Sequence, residues 1–249
     1  VAAGLNRYPD REARDLRADL AAYVEREAGV RVGIDQVWAA NGSNEIMQQI
    51  HTAFAGPGRT TLAFTPTYSM YQQYCRDTFT RYVTVPRNAA FGVDLHTAER
   101  AIDDWHPSII LIASPNNPTG TALDLDVLSS ILASAHAAGA MVVVDEAYAE
   151  FRRPTTASAL TLLDDWPNLV VVRTMSKAFG LAGARVGYAI TAVPEAVDAL
   201  RLVRLPYHLS AVTQAVARVA LAHGDTMQAQ VCLLRDERDL LFDWLQERD

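Results

Sequence analysis

Short apolar runs alternate with stretches of helical periodicity along most of this 249-residue chain. Val37–Ala40, Thr61–Phe64, Tyr82–Val85, Ile109–Ala113, Met141–Val144, Leu169–Val172 and Val186–Ile190 read as strands. Ile109-Ile110-Leu111-Ile112-Ala113 and Met141-Val142-Val143-Val144 have no polar face, the pattern of central strands covered by helices on both sides. Helices fit between most of the runs. The clearest one precedes the first strand: from Arg11 to Ala28, the residues Leu16, Leu20, Tyr23 and Val24 share one face, and Gly29 acts as a stop. This alternation predicts an α/β fold built on a mostly parallel sheet. From Ser210 to Arg248 the pattern is helical throughout, broken only near Gly224-Asp225, so long helices are expected to leave the sheet.

Composition narrows the function classes. Half of the residues are apolar and 20% are charged, which excludes a disordered chain, and the length suffices for a core without disulfides or metals. With 22 basic and 29 acidic side chains the net charge is −7, which argues against nucleic acid as the main partner. The two cysteines, Cys75 and Cys232, lie far apart and in no C-x-x-C spacing, so a cytoplasmic location is the simplest expectation. No apolar run approaches the roughly 18–20 residues of a membrane span, and no leader pattern is present. The six histidines show no metal-ligand spacing, and no metal is assigned. The chain starts at Val1 without methionine and stops at Asp249 without a terminal cap, so both ends are expected to be missing.

One count stands out. Of the 22 basic residues only Lys177 is a lysine. Lysine, unlike arginine, can shed its proton and act as a nucleophile, which makes Lys177 the first candidate for covalent chemistry. The competing reading is a compositional bias that left one lysine by chance.

In an open α/β sheet, ligands lie beyond the carboxyl ends of the strands, and here those positions are polar. Asn41-Gly42-Ser43-Asn44-Glu45 opens a helix after the first strand, which suits a bound phosphate or, alternatively, an ordinary cap by Ser43 or Asn44. Ser114-Pro115-Asn116-Asn117-Pro118-Thr119-Gly120 forms a rigid turn after Ile109–Ala113. Asp145-Glu146-Ala147-Tyr148 follows Met141–Val144 and places at a buried strand end a carboxylate that needs a cationic or hydrogen-bonding partner. Arg173-Thr174-Met175-Ser176-Lys177 follows Leu169–Val172, with Arg185 shortly after. The chain has no G-x-G-x-x-G, P-loop or G-x-S-x-G motif, which sets aside dinucleotide, nucleoside-triphosphate and serine-hydrolase chemistry. A nucleophilic lysine, a carboxylate for a cationic ring nitrogen and several phosphate-binding groups remain, the parts that pyridoxal phosphate requires.

Together these segments resemble the fold-type I pyridoxal-phosphate aminotransferases, and most closely the histidinol-phosphate aminotransferases. The resemblance runs from Leu-Asn-Arg-Tyr-Pro-Asp (5–10) to Arg-Leu-Pro-Tyr-His-Leu-Ser (204–210). Ser-Pro-Asn-Asn-Pro-Thr-Gly, Asp-Glu-Ala-Tyr and Thr-Met-Ser-Lys-Ala-Phe, in that order, are its most specific motifs. It implies a three-layer α/β/α fold with an N-terminal interface arm over 1–10, a large cofactor domain over 11–209, and helices over 210–249 leading into a small C-terminal domain that is mostly absent.

The resemblance also implies roles. Lys177 would hold the cofactor covalently and then move the substrate's α-proton, and Asp145 would pair with the pyridinium nitrogen. Tyr148 and Asn117 would bond the ring's phenolic oxygen, and Tyr68 would stack on the ring. Gly42, Ser43, Asn44, Thr174, Ser176 and Arg185 would hold the phosphate. Tyr8 would reach the phosphate of a neighbouring subunit, which implies a homodimer. The implied reaction moves nitrogen from L-histidinol phosphate to 2-oxoglutarate, giving imidazole-acetol phosphate and glutamate. The family's N-terminal lid and the C-terminal arginine that holds the substrate carboxylate find no match here, and Asn44 stands where many members have aspartate. Aromatic amino-acid aminotransferases and threonine-phosphate decarboxylases would share nearly every residue named, and a cofactor-binding but inactive fragment is the reading outside catalysis. Pro206-Tyr207-His208-Leu209-Ser210 favours histidinol phosphate.

Overall fold

In the computed structural model, residues 4–248 are described, so the first three residues of the expected arm, and Asp249, lie outside the described residues. Seven strands form one sheet: β1 (Val37–Ala40), β2 (Thr60–Thr65), β3 (Arg81–Pro86), β4 (Ile109–Ala113), β5 (Met141–Asp145), β6 (Leu169–Thr174) and β7 (Gly187–Thr191). Their order is β1-β7-β6-β5-β4-β2-β3. Only β7 runs against its neighbours, so the sheet is mostly parallel, as the sequence pattern implies. Each expected strand is present within one or two residues. β5 and β6 run on to include Asp145 and Thr174, so the backbone ladder itself fixes both residues.

Eight helices accompany the strands among the described residues: α1 (Arg14–Ala28), α2 (Ser43–Phe54), α3 (Met70–Asp77), α4 (Leu95–Trp105), α5 (Leu125–Ala137), α6 (Pro194–Val203), α7 (Ala211–Ala222) and α8 (Gly224–Gln246). α1 begins three residues later than its periodicity suggests. The Asp10 carboxylate accepts from the backbone N–H groups of Glu12 and Arg14, holding a turn in which Ala13 is left-handed at φ 46°. Gly29, at φ 70°, ends the helix as expected.

The strands send alternate side chains into two apolar layers. Ile110, Ile112, Val142, Val144, Val171 and Ile190 pack with Leu16 and Leu20 of α1, Ile102 of α4, Ile131 of α5 and Leu221 of α7. Ile109, Leu111, Val143, Val170, Val172 and Ala189 face the other way, onto Ile46 and Ile50 of α2, Tyr71 and Tyr74 of α3 and Leu200 of α6. This is the three-layer α/β/α arrangement. Met227 and Val231 of α8 join the α1 side, whereas beyond them Leu233, Leu240, Leu241, Phe242 and Trp244 are exposed. No helix among the described residues is long and apolar enough to cross a membrane.

The register aligns Ala113, Asp145 and Val172 across β4, β5 and β6. β1 is parallel to these strands because β7 opposes both β1 and β6. Four carboxyl ends therefore open at one edge of the sheet, where the polar segments gather.

Candidate active site

The segments that follow β1, β4, β5 and β6 enclose a pocket of about 200 Å³ lined by Ser43, Asn44, Tyr68, Ala113, Pro115, Asn117, Asp145, Ala147, Tyr148, Thr174, Ser176, Lys177, Ala182 and Arg185. Ten of the residues singled out from the sequence line this one cavity. Gly42 lies just behind its wall. Tyr8 does not reach the cavity; it is 80% exposed and stacks on Tyr207 with ring centroids 4.5 Å apart. His208 lies elsewhere as well. Its ring stacks on Trp38 at 5.6 Å and its Nε2 lies 2.9 Å from the Ala39 carbonyl oxygen, so it braces β1.

One end of the pocket is built for an anion. The residue that caps α2 is Gly42, not Ser43 or Asn44, and no side chain caps the helix, so the N–H groups of its first turn point outward. Glu45 bends back to accept from the backbone and side-chain N–H groups of Asn41, which keeps its charge from occupying that end. Beside the helix start, the Arg185 guanidinium donates to the Ala182 carbonyl at 3.1 Å and the Ser176 hydroxyl at 3.4 Å, and has no carboxylate within ion-pair distance among the described residues. Two glycines permit this approach. A Cβ on Gly42 would stand 2.4 Å from an Arg185 terminal nitrogen, and one on Gly187 would stand 2.3 Å from the Ser43 backbone nitrogen. Thr174 donates to Ser176 at 3.0 Å, so the hydroxyls form a chain beside the guanidinium.

At the other end lies Asp145. Its Oδ2 accepts from the Tyr71 hydroxyl at 2.9 Å and its Oδ1 from the Ala147 N–H at 3.1 Å. Burial pushes its carboxyl up to about 6; the two hydrogen bonds and the Lys177 charge work in the opposite direction. A buried carboxylate so placed would be stabilised by a cation facing it. Lys177 lines the same cavity, with its Nζ 5.5 Å from the Tyr148 ring centroid and no carboxylate partner among the described residues.

The turn after β4 divides its two asparagines. Asn116 is buried and donates to the Pro66 carbonyl at 3.1 Å and the Thr119 hydroxyl at 2.7 Å, which ties the loop down and presents Asn117 to the cavity. Asn44 Oδ1 accepts from Tyr74 at 2.9 Å and from Tyr68 at 3.4 Å. Tyr68, Tyr71 and Tyr74 thus supply three phenols to this side of the site. The last two were not singled out from the sequence, although a spacing of three residues across the start of a helix was the available signal.

A second group of charges, also not anticipated, lies behind the pocket. Arg173 is fully buried and donates to Glu146 at 2.7 and 2.9 Å, to Glu27 at 2.6 Å and to the Ser158 hydroxyl at 3.0 Å. Arg152 donates to the other Glu27 oxygen at 2.6 Å. These contacts tie the exits of β5 and β6 to α1, immediately beside Asp145 and Thr174.

The donor set fits pyridoxal phosphate: an unpaired amine, a carboxylate at one end of the cavity, and at the other a helix start, an unpaired guanidinium and two hydroxyls cleared by glycines. Comparison with known proteins agrees with this geometry. The family model for aminotransferases of class I and II matches residues 2–249. The chain is 56% identical over 245 residues to histidinol-phosphate aminotransferase 3 of Burkholderia lata, covering 98% of this chain and 65% of that protein. It is 57% identical over 245 residues to the histidinol-phosphate aminotransferase of Thermobifida fusca, with the same coverage. It therefore spans slightly less than two thirds of the length of these relatives. The crystal structure of the histidinol-phosphate aminotransferase of Sinorhizobium meliloti in complex with pyridoxal-5′-phosphate superimposes with a TM-score of 0.84 at 26% identity, over 96% of this chain and 62% of that one. The chain belongs to the class I and II aminotransferase family.

Proposed function

We propose that the protein is a pyridoxal-phosphate-dependent transaminase of histidine biosynthesis, moving an amino group from L-histidinol phosphate to 2-oxoglutarate and giving imidazole-acetol phosphate and glutamate. The observation that carries this reading is the coincidence in one cavity of the chain's only lysine, a buried carboxylate and an uncompensated anion cup. The names of its relatives support the choice of substrate. Pyridoxal phosphate, when bound, supplies an aldehyde that condenses with amines and a ring that withdraws electrons from the substrate's α-carbon.

Each residue then has a task. Ser43, Asn44, Thr174, Ser176 and Arg185 bind the phosphate, Arg185 through charge and the α2 start through its N–H groups and dipole. Asp145 would pair with the ring nitrogen and favour its protonated form; two unit charges about 4 Å apart attract by about 4 kcal/mol at an effective dielectric near 20. Tyr148 and Asn117 would hold the ring's phenolic oxygen, and Tyr68 would stack on the ring. Lys177 would hold the cofactor through its Nζ and, as the amine that lines the cavity, would serve as general base and acid for the substrate's α-proton. By the same resemblance Tyr8, exposed on this chain, would reach the phosphate of a second copy.

Mixing the purified protein with pyridoxal phosphate and histidinol phosphate tests the reading. Loss of the visible absorbance band with a gain in the near ultraviolet is expected; a change with phenylalanine alone would make it an aromatic aminotransferase, and no change with any amine would make it a silent cofactor binder.

A further inference from the structure

Tyr71 lies on α3, fully buried in the apolar layer beneath the pocket, and does not line the cavity. Its hydroxyl nevertheless donates to Asp145 Oδ2 at 2.9 Å. The other carboxylate oxygen takes the Ala147 N–H, so each oxygen has one donor. A phenol in such a place could have been left without a partner or replaced by a phenylalanine of the same shape. Instead it meets the one carboxylate that lines the cavity.

The geometry points to Tyr71 as a positioning residue that acts through Asp145: its hydroxyl fixes the carboxylate toward the cavity and keeps it ionised for a cationic ring. This inference rests on the reading of Asp145 as the partner of the cofactor's ring nitrogen. Asp145 is buried, and burial favours its neutral form; Tyr71 is the strongest influence in the other direction. The groups around it are few. Lys177 faces it from the loop after β6, Glu146 follows it on its own segment and is held by Arg173, and Tyr74 lies on α3 but donates to Asn44. The Tyr71 phenol is itself raised well above its ordinary range by burial and by the Asp145 charge, so it remains a donor at every working pH. The same ring packs edge-on against Tyr68, with centroids 5.7 Å apart and planes at 87°, and so also supports the side chain that would cover the cofactor ring.

The test uses the cofactor-free protein with ¹³C-carboxyl-labelled aspartate, the Asp145 signal being assigned with Asp145→Asn. In Tyr71→Phe the titration midpoint of Asp145 is expected to rise by about one pH unit or more, whereas Tyr74→Phe leaves it in place. A midpoint in Tyr71→Phe equal to that of the parent protein overturns the inference. Should Tyr71→Phe not fold, the parent protein still decides: the Tyr71 ring Cζ signal should move with the Asp145 midpoint, and a flat Tyr71 signal through that pH range overturns the inference. Parallel titration with pyridoxal phosphate separates the two readings. A protein that binds no cofactor while Tyr71 still controls Asp145 defeats the functional reading, and one that binds cofactor without that control defeats this inference.

Discussion

Arg173 lies near the end of β6 and Arg185 in the connection that leads to the antiparallel β7, and their surroundings differ in every respect that matters. Arg173 is buried among Glu146, Glu27 and Ser158, with its charge fully answered by protein groups. Arg185 faces a cavity with hydroxyl and carbonyl oxygens around it and no carboxylate. Asp145 and Glu146 repeat the contrast one residue apart: Glu146 is clamped by Arg173, Ser158 and the Ala159 N–H, while Asp145 is left with neutral donors and a carboxyl raised by burial. Charges that the chain neutralises hold the strand exits in place. Charges that it leaves unanswered are complementary to a ligand carrying a phosphate at one end and a cationic ring at the other.

The largest effect should come from breaking the neutralised side. Arg173→Met leaves the buried Glu146 without its cation and Glu27 with Arg152 alone, and should destabilise the fold by about 3–5 kcal/mol in urea unfolding. Arg185→Ala should do the reverse: stability changes by less than about 0.5 kcal/mol, while affinity for pyridoxal phosphate falls about ten- to a hundredfold in a fluorescence titration. If both variants lost stability alike, the distinction between the two regions would fail.

Asp145 gives the next effect, and it depends on pH. Its carboxyl titrates near 6 in the folded chain against about 3.8 when unfolded, so between those values the folded state holds the extra proton. Its contribution is therefore complete below about pH 4 and is lost as pH rises through about 6, a change of about 3 kcal/mol in the cofactor-free protein. Glu27, lowered by Arg173 and Arg152 against the opposing effect of burial, acts in the opposite sense, losing stability as pH falls through its folded value. Unfolding free energies of the parent and Asp145→Asn across pH 4–7 should thus diverge as pH rises, and parallel curves would contradict the assignment.

A smaller effect is expected where the backbone closes on the anion cup. Gly187→Ala drives a methyl against the Ser43 nitrogen and should cost about 1–3 kcal/mol while weakening cofactor binding, because the α2 start must move away from β7. Gly183→Ala, with open space around it, serves as the control.

Much of this arrangement was legible in the residues. Central strands with no polar face could hardly be anything else, and the lone lysine after β6 marked the edge at which the cavity opens. Three things escaped for physical reasons. Ser43 and Asn44 both read as helix caps, yet Gly42 caps α2 because only a residue tolerant of φ 81° fits under Arg185. Tyr71 and Arg173 lie inside the protein, and which carboxylate each meets depends on layer packing that periodicity does not encode. Glu27, on a helix far earlier in the chain, gave no local sign that it would answer a strand arginine 146 residues later.

The central claim, that Lys177 is the amine to which this cavity delivers pyridoxal phosphate, meets its most direct test in borohydride reduction of the protein mixed with that cofactor, followed by peptide mass spectrometry. With one lysine in the chain the result is unambiguous. The account predicts a single pyridoxyl group on the peptide containing Lys177; an unmodified Lys177 peptide, or label found only on the terminal amine, would contradict it.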